Sequence, residues 1–223
     1  SKIGKGIEDV NFIPDEDNIV PVLEGEWFED DIASRVSEFA KVVFGVESHQ
    51  ANIDYIEKAL GKSLRAYMYR DFYTDHIKRY KKRPIYWMIS SPIGSFQALI
   101  YMHRYNEDTI SNVLNYYLRP YIDKLESHIE YLNHLVVEGT QREQTQATKD
   151  IVRVEKVIDE LRTYDKDVLY PLALERISID LDDGVLVNYN KFGEVLKTIA
   201  GLNDTATKKK VKKFDWIDVS EIR

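Results

Sequence analysis

The sequence lacks several features that mark common protein classes. It has no cysteine among its 223 residues, so disulfide bonds and thiolate metal sites are excluded. No apolar run reaches the roughly 18 residues that a membrane span requires, and no secretory signal is present. We therefore expect a cytoplasmic protein that makes no membrane contact. The first residue is Ser1 rather than Met, which favours an excised or processed piece over a complete gene product.

The motifs of several enzyme classes are also missing. The sequence has no P-loop and no HExxH zinc helix. No lysine has an acidic residue two positions earlier, the spacing with which restriction-type nucleases hold a metal-bound water. The five histidines lack ligand spacing, and Asp180, Asp182 and Asp183 precede Gly184 where a calcium loop needs a third ligand. We therefore predict no catalytic and no metal-binding residue in this chain.

Basic residues are unevenly distributed in a chain whose net charge is -7. That net charge argues against a wholly basic nucleic-acid binder. Between Arg65 and Arg83, however, seven basic residues stand against only Asp71 and Asp75. Patches of this kind can contact phosphate even on an acidic protein. A second basic run, which could equally be a soluble tail, comprises Lys208, Lys209, Lys210, Lys212 and Lys213.

Hydrophobic periodicity predicts a mainly α fold with a small β element, an α+β arrangement of helical-bundle type. Hydrophobic residues make up 43% of the chain, enough for a folded core. A short strand is predicted at residues 18–22 and a β-hairpin at 84–105, although the second half of the latter could instead be helical. Three helices are predicted from their capping residues and stop signals, over residues 32–44, 49–60 and 64–83.

The longest helical pattern forms two segments separated by a short polar stretch. Apolar residues recur every three or four positions over residues 110–136 and again over 147–168. These segments predict a long antiparallel helical hairpin. Pro120 should kink its first helix, and Pro171 should end its second. The hairpin is interpreted either as a spacer or docking surface, or as ordinary core helices of a bundle.

The C-terminal part gives mixed signals. Alternation over residues 177–187 around an Asp-Asp-Gly turn predicts a second small β-hairpin. Residues 192–199 could form a short helix, and residues 203–213 are predicted to be mobile. The chain thus divides into three predicted segments: a helical and β module at 1–107 that contains the basic segment 76–83, the hairpin at 108–171, and a mixed segment at 172–223 with a mobile basic tail.

Residues 76–83 are the densest basic segment of the chain. Arg79 and Arg83 would share a face if both are helical, and they could straddle a phosphate backbone. A solvated helix end, whose cations favour the C-terminal dipole, would explain the same residues without any function. Four aromatic neighbours could pack beneath the charged stems or stack on bases: Tyr73, Tyr80, Tyr86 and Trp87.

Three longer stretches carry a resemblance to known proteins. The first contains KKRPIYW, SSPIGSF and YMHRY within residues 81–105, the second is DVLYPLA at 167–173, and the third is IDLDDGVLVNYNKFG at 179–193. They resemble the C-terminal region of PglX-type methyltransferases of the BREX phage-defence systems. The resemblance extends from about residue 15 to about residue 202, and nothing specific is drawn from the residues after it.

The resemblance implies a whole protein that transfers a methyl group from S-adenosylmethionine to N6 of adenine at a short, asymmetric DNA site, marking host DNA as self. The Gly-rich turn and the Asn-Pro-Pro-Tyr-like motif of such enzymes do not occur here, and the Gly4-Lys5-Gly6 pair follows no strand. The resemblance places the methyltransferase domain N-terminal to this chain. We therefore expect no cofactor-binding residue here and no methyl transfer by this chain alone.

Three functions are compatible with these features. The first is DNA recognition and clamping in support of the methyltransferase. The second is a protein-interaction module that docks other defence proteins or the enzyme's own domains through a Leu125–Ile129–Leu132 stripe. The third is a structural lid on the methyltransferase domain. Expected partners are double-stranded DNA, the methyltransferase domain of the same polypeptide and, in the second case, further defence proteins. In the first case, phosphate would be contacted by Lys78, Arg79, Lys81, Lys82, Arg83 and Arg104.

Overall fold

The computed structural model describes Phe12 and residues 16–223. Helices dominate, and a three-stranded antiparallel sheet completes the fold, which confirms the predicted class. The strands are β1 (Ile19–Pro21), β2 (Tyr86–Ser90) and β3 (Gln97–Tyr101). The helices are α1 (Ile32–Phe44), α2 (His49–Leu60), α3 (Leu64–Arg70), α4 (Phe72–Arg79), α5 (Thr109–Asn112), α6 (Arg119–Glu138), α7 (Gln141–Tyr164), α8 (Tyr170–Leu174), α9 (Gly184–Asn190) and α10 (Thr205–Val211).

The first two helices begin and end where the sequence predicts. The Asp31 carboxylate accepts a hydrogen bond from the Ser34 backbone N–H and so caps α1. Gly45 ends α1 at φ 90°, and Gly61 ends α2 at φ 67°, a left-handed conformation that glycine adopts without steric cost. These caps explain why the sequence alone locates both helices.

The single helix predicted over residues 64–83 is wrong, because it divides into α3 and α4 at Asp71 and ends at Arg79. The buried positions step from Leu64 and Met68 on α3 to Tyr73 and His76 on α4. Met68 and Tyr73 are five residues apart, so in one continuous helix, with about 3.6 residues per turn, they would lie on different faces. The break at Asp71 therefore lets both helices bury a face against the same core.

The predicted β-hairpin is present, and its second half is a strand. In it β2 pairs with β3 in antiparallel register, with Trp87 opposite Ile100, and β1 pairs on the other side of β3. The edge of β2 that does not pair with β3 is covered by residues 195–197. The Ser90 N–H donates to the Val195 carbonyl at 3.0 Å, and the Lys197 N–H donates to the Met88 carbonyl at 2.8 Å. The sheet therefore offers no unpaired β2 edge to another chain.

Two long helical runs pack side by side and are joined by Gly139 and Thr140. Each contains a π-helical segment, at Val113–Leu118 in the first run and at Asp165–Leu169 in the second. The Arg119 N–H accordingly bonds the carbonyl of Leu114, five residues earlier. Pro120 and Pro171 each lie one residue beyond the end of a π-helical segment, after Arg119 and Tyr170, and a π turn accommodates a residue that has no N–H to donate.

The prediction that Pro171 ends the second helix is therefore wrong. Helical structure continues through Pro171 to Leu174. The widened turn before the proline absorbs the missing hydrogen bond, so the chain does not have to leave the helical conformation. In the same way Pro120 lies inside a continuous helical run rather than at a boundary.

Two predictions for the C-terminal part are wrong. Residues 177–187 form no β-hairpin: Leu181–Asp183 is a 3-10 turn and α9 follows it. Residues 192–199 are not helical, because they cover the edge of β2. The segment 203–213, which is predicted to be mobile, contains α10, and Asp204 caps that helix. In α9 the last four residues are all buried, so no apolar face distinguishes a helix from a strand.

The main core lies between the sheet and the ends of the long helices nearest the π segments. Its fully buried side chains include Trp87, Ile100, Leu118, Leu161 and Phe192. A small second cluster joins α9 to α10 and the C-terminus through Val187, Val211 and Ile222. Of the helices in the described part of the chain, none combines the length and apolarity needed to cross a bilayer.

Candidate nucleic-acid interface

The basic segment forms a tight turn at the end of α4. Tyr80 caps the helix, and Lys81 and Lys82 follow in the left-handed conformation, at φ 48° and 63°. The turn is closed by Lys82 N–H, which donates to the Ile77 carbonyl at 2.9 Å. Glycine or asparagine usually occupies such positions, because a side chain makes this conformation unfavourable. Lys81 and Lys82 therefore adopt a left-handed backbone conformation that glycine or asparagine would adopt at lower energetic cost.

Six exposed cations, hereafter the cationic surface, lie at this turn and near it. Lys78 makes a long ion pair of 3.5 Å with Asp75. The other five make no ion pair with any residue that the structure describes. No acidic residue occurs between Asp75 and Glu107 in the sequence. The surface is therefore a concentration of uncompensated positive charge. Its members are Lys78, Arg79, Lys81, Lys82, Arg83 and Arg104.

Strand register brings Arg104 to the same end of the β2–β3 hairpin as Arg83. Tyr86 of β2 lies opposite Tyr101 of β3, and the Met102 N–H donates to the Ile85 carbonyl at 3.1 Å. Arg104 follows in a 3-10 turn, where its guanidinium donates to the Asn18 side-chain oxygen at 2.9 Å. Arg83 and Arg104, which are 21 positions apart in sequence, thus belong to one surface.

A row of aromatic rings runs between these cations. Neighbouring ring centroids are 4.7 Å apart for Tyr80 and His76, 5.6 Å for His76 and Tyr86, 5.2 Å for Tyr86 and Tyr101, and 5.4 Å for Tyr101 and His103. Tyr86, Tyr101 and Arg104 also line an apolar groove of about 620 Å³. The row therefore combines flat apolar faces with flanking positive charge.

The four aromatic neighbours predicted from sequence divide into two groups. Tyr80 and Tyr86 are more than a third exposed and belong to the row, whereas Tyr73 and Trp87 are buried in the core. Sequence reasoning missed Tyr101 and His103. Their only signal is the pairing of β3 with β2, which no local pattern reveals.

Within the aromatic row, the buried side chain of His76 connects α4 to the start of β2. It is 8% exposed, and its Nε2 accepts a hydrogen bond from the Tyr86 backbone N–H at 3.3 Å. Burial lowers the pKa of His76, which favours the neutral ring that can accept this bond. The side chain therefore ties α4 to the start of β2, and the exposed cations surround it.

The fold also brings the second basic run toward the first. The Lys82 side chain lies against Gly201, where a Cβ atom would stand 3.5 Å from Lys82 Nζ. The Gly201 N–H donates to the carboxylate of Asp204, which caps α10. Helix α10 carries Lys208, Lys209 and Lys210. The loop before α10 therefore connects two basic runs that lie far apart in sequence.

Two curated proteins are similar to most of this chain. The adenine-specific methyltransferase BrxX of Escherichia coli O9:H4 (strain HS) is 41% identical in an alignment of 209 residues that covers 87% of this chain. The adenine-specific methyltransferase PglX of Lacticaseibacillus casei (strain Zhang) is 36% identical in an alignment of 192 residues that covers 81% of this chain. The chain corresponds to a region of PglX-type methyltransferases. The resemblance predicted from the sequence motifs is thereby confirmed.

The matched region is a small part of these enzymes. It covers 17% of the length of BrxX and 16% of the length of PglX. No protein-family model matches the chain. The activity that their names state is therefore a property of much longer polypeptides.

The docking stripe proposed on this PglX-type region is not available at the surface. Leu125 and Leu132 on α6 are 3% and 5% exposed, and Ile129 packs partly buried against the main core. Helix α7 lies alongside α6 over its length. The stripe is therefore part of the hairpin's own core, which corrects the prediction that it could bind another protein.

Metal chemistry finds no support in the described part of this PglX-type region. Among Phe12 and residues 16–223, no group of three or more histidine, aspartate or glutamate side chains could hold a metal ion. Asp180, one of the acidic residues singled out from sequence, instead accepts a hydrogen bond from the Asp182 N–H. Its carboxylate thus starts the short turn before α9.

Proposed function

We propose that this chain is the auxiliary DNA-recognition and clamping region of an S-adenosylmethionine-dependent adenine-N6 DNA methyltransferase in phage defence. The observation that carries the proposal is the cationic surface, in which five of six exposed cations have no ion pair with a described residue. Phosphate can replace water around such cations without first breaking an ion pair inside the protein. An unpaired cluster is therefore better suited to a DNA backbone than the same number of paired charges.

The turn geometry supports a functional rather than a purely structural role for its lysines. Lys81 and Lys82 occupy left-handed positions at a cost that glycine would avoid. A solvated helix end needs cations only near its last carbonyls, and Lys78 and Arg79 already meet that need. Two further lysines in unfavourable conformations are explained by what they contact outside the protein.

The aromatic row supports recognition beyond simple charge attraction. Tyr80 and Tyr86 are 38% and 36% exposed and lie beside the turn that carries the cations. Exposed rings next to cations can pack against sugars and unstacked bases while the cations hold phosphate. The surface therefore offers two kinds of contact to a DNA strand, and together they would hold a duplex while a remote site extrudes the adenine.

Methyl transfer and cofactor binding are assigned to another region of the same polypeptide. The chain spans about a sixth of the relatives' length, and its sequence has neither a Gly-rich cofactor turn nor a base-gripping proline motif. In this proposal the partners are double-stranded DNA and the methyltransferase domain, in the cytoplasm. The module at 1–107 holds DNA, the hairpin at 108–171 acts as a spacer, and residues 172–223 support both.

A gel-shift titration on one duplex across a salt series tests the proposal. It should be carried out with this chain and with its full-length parent. The logarithm of affinity should fall linearly with the logarithm of salt concentration, and each phosphate contacted should contribute about -0.9 to the slope. Six contacts would give a slope near -5. Affinity that does not change with salt, or no retention of DNA by either protein, would contradict the proposal.

A second function, protein interaction through the hairpin, is supported by one observation. On the hairpin, Tyr131 and Val137 of α6 and Val152 of α7 are 57%, 77% and 48% exposed. Exposed apolar side chains can mark a contact with another protein. Replacing Tyr131 and Val137 by serine should then remove a defence-protein partner while DNA affinity is retained. Unchanged partner binding would exclude this surface.

A further inference from the structure

Helix α1 carries an apolar stripe that extends beyond the core. Ile32, Val36, Phe39 and Val43 recur every three or four residues, so they share one face of the helix. Ile32 packs against the main core, whereas Phe39 and Val43 are 48% and 43% exposed. Amphipathic helices normally bury such a stripe, because tertiary packing supplies most of their stability. The C-terminal half of α1 therefore carries apolar side chains that the described part of the chain leaves half uncovered.

The neighbouring helix α2 is equally poorly covered. None of its 12 residues is buried, and none of its side chains belongs to either hydrophobic cluster of the described residues. By contrast, the shorter helix α4 buries Tyr73 and His76. At the junction of α1 with α2, Phe44 and Val46 are 59% and 68% exposed. Exposed apolar side chains that lie this close together can mark a contact with another folded unit. The docking face is defined by Phe39, Val43, Phe44 and Val46.

The N-terminal side of the chain already contacts this face. Phe12, the first residue that the structure describes, lies edge-to-face on Phe39, with ring centroids 5.4 Å apart. The Arg35 guanidinium of α1 lies 4.6 Å from the centroid of the Phe12 ring. The sequence resemblance places the methyltransferase domain N-terminal to this chain, and Phe12 is the described residue nearest to it in sequence. The polypeptide that links the two therefore passes over α1.

A groove connects the docking face with the cationic surface. Phe12 and Arg35 line this groove of about 620 Å³, and so do Tyr86 and Arg104. A domain that packs on the C-terminal half of α1 would thus lie beside DNA held by the cationic surface. A methyltransferase domain has to reach the same duplex in order to extrude a base. The docking face is therefore in a suitable position for that domain.

We propose that the methyltransferase domain of the same polypeptide packs on the docking face and is thereby held beside the DNA. The identity of this occupant rests on the proposed function, in which that domain modifies the duplex that the chain clamps. The chain spans about a sixth of the relatives' length, so a much larger polypeptide supplies the complementary surface. A small apolar face suits an intramolecular contact, because the link between the domains gives a high effective concentration. Two separate copies of the chain would not have this advantage.

Hydroxyl-radical footprinting of the 223-residue chain and of its full-length parent tests the proposal. Phe39 and Phe44 should be oxidised about fivefold more slowly in the parent, because the core of an interface excludes water. Tyr131, which is 57% exposed on α6, is the reference and should react at similar rates in both proteins. The proposal is overturned if Phe39 and Phe44 react as fast in the parent as in the chain.

Charged substitutions show whether the face itself is responsible for that protection. Val43→Glu with Val46→Glu in the parent should restore the oxidation rate of Phe39 to its value in the 223-residue chain, because a buried unpaired carboxylate opposes docking. The matched control, Leu174→Glu with Val219→Glu, alters residues that are 65% and 46% exposed elsewhere, and it should leave Phe39 protected. Full protection of Phe39 in the first variant would contradict the proposal.

A photo-reactive phenylalanine analogue in place of Phe44 identifies the occupant in the parent. A cross-link to the methyltransferase domain of the same polypeptide supports the proposal. A cross-link between two copies, one within the 223-residue region, or none overturns it. The Lys81→Glu, Lys82→Glu, Arg83→Glu variant should lose duplex DNA but form the same cross-link. If wild-type protein forms the cross-link and binds no DNA, only the clamping proposal fails.

Discussion

The hairpin and the cationic surface are both exposed and rich in charge, but they use their charges differently. Residues 119–164 carry seven basic and nine acidic side chains. Several are joined in ion pairs across or along the helices, such as Arg162 with Glu126 at 2.5 Å and Arg119 with Asp165 at 2.8 Å. On the cationic surface only Lys78 has an ionic partner among the described residues. A cluster of exposed cations within a stretch that has no acidic residue between Asp75 and Glu107, rather than exposed charge alone, therefore distinguishes the candidate phosphate-binding surface.

The two regions also differ in what holds them in place. The hairpin is held by its buried apolar face, where Leu161 and Leu169 are fully buried. The cationic surface has almost no apolar burial of its own and depends on one turn and on His76 behind it. Substitutions in the hairpin should therefore act on stability, and those on the cationic surface should act on binding. Four changes test this division, starting with the largest expected effect.

Leu161→Ala should lower the free energy of unfolding by about 2–5 kcal/mol, because it removes a fully buried side chain and leaves a cavity. Val152→Ala on the same helix, at a residue that is 48% exposed, is the control and should change it by less than about 0.5 kcal/mol. Urea unfolding followed by circular dichroism measures both. Equal effects of the two substitutions would mean that the hairpin is not a packed scaffold.

Reversing three charges of the cationic surface, with Lys81→Glu, Lys82→Glu and Arg83→Glu, should weaken duplex binding by about 100-fold at 0.15 M salt, since three phosphate contacts are lost. The control reverses three exposed charges on α7, with Arg142→Glu, Lys149→Glu and Lys156→Glu. That variant has the same net charge, and we expect its affinity to stay within about threefold of wild type. Similar losses in both variants would show that overall charge, and not this surface, governs binding.

The parts of the fold that sequence predicts well are those fixed by single residues. Asp31 and Gly45 delimit α1, and the turn after Ser90 delimits the β-hairpin, because caps and turns act through the local backbone. The basic segment and the family resemblance are equally local features. Such signals depend on residues adjacent in sequence, so they can be recognised without knowledge of the tertiary structure.

The parts that sequence does not predict depend on contacts between distant residues. Arg104 joins Arg83 only through the register of β2 with β3. Residues 192–199 have a helical pattern but cover an unpaired strand edge, because the hydrogen bonds that Ser90 and Met88 leave open decide their conformation. Tertiary hydrogen bonding therefore overrides local periodicity in the C-terminal part.

Replacing Lys81 and Lys82 by glycine sharpens the comparison, because it removes two cations and relaxes their backbone together. Glycine avoids the steric cost of the left-handed conformation, at some cost in the entropy of the unfolded chain. We expect a net gain of up to about 1 kcal/mol in the free energy of unfolding, together with weaker DNA binding. A loss of stability would instead mean that the lysines serve the helix end. Differential scanning calorimetry and a gel shift on the same preparation distinguish the two.

The smallest expected effect concerns His76, which links the two kinds of region because it is buried but lies beneath the cationic surface. Its folded-state pKa is lowered by burial from the ordinary value of 6.5. As pH falls below 6.5 the unfolded chain therefore takes up a proton before the folded chain does, so the stability that neutral His76 contributes is lost as pH falls through its folded-state pKa. Protonation would also remove the acceptor for the Tyr86 N–H.

His76→Gln retains an acceptor and does not titrate, so its unfolding free energy should fall less than that of wild type between pH 7 and pH 5. The control, His134→Gln, alters an exposed histidine on α6 and should follow wild type. Urea titrations at three pH values measure the difference. If His76→Gln and wild type lose stability in parallel, then the joint between α4 and β2 does not depend on a neutral ring.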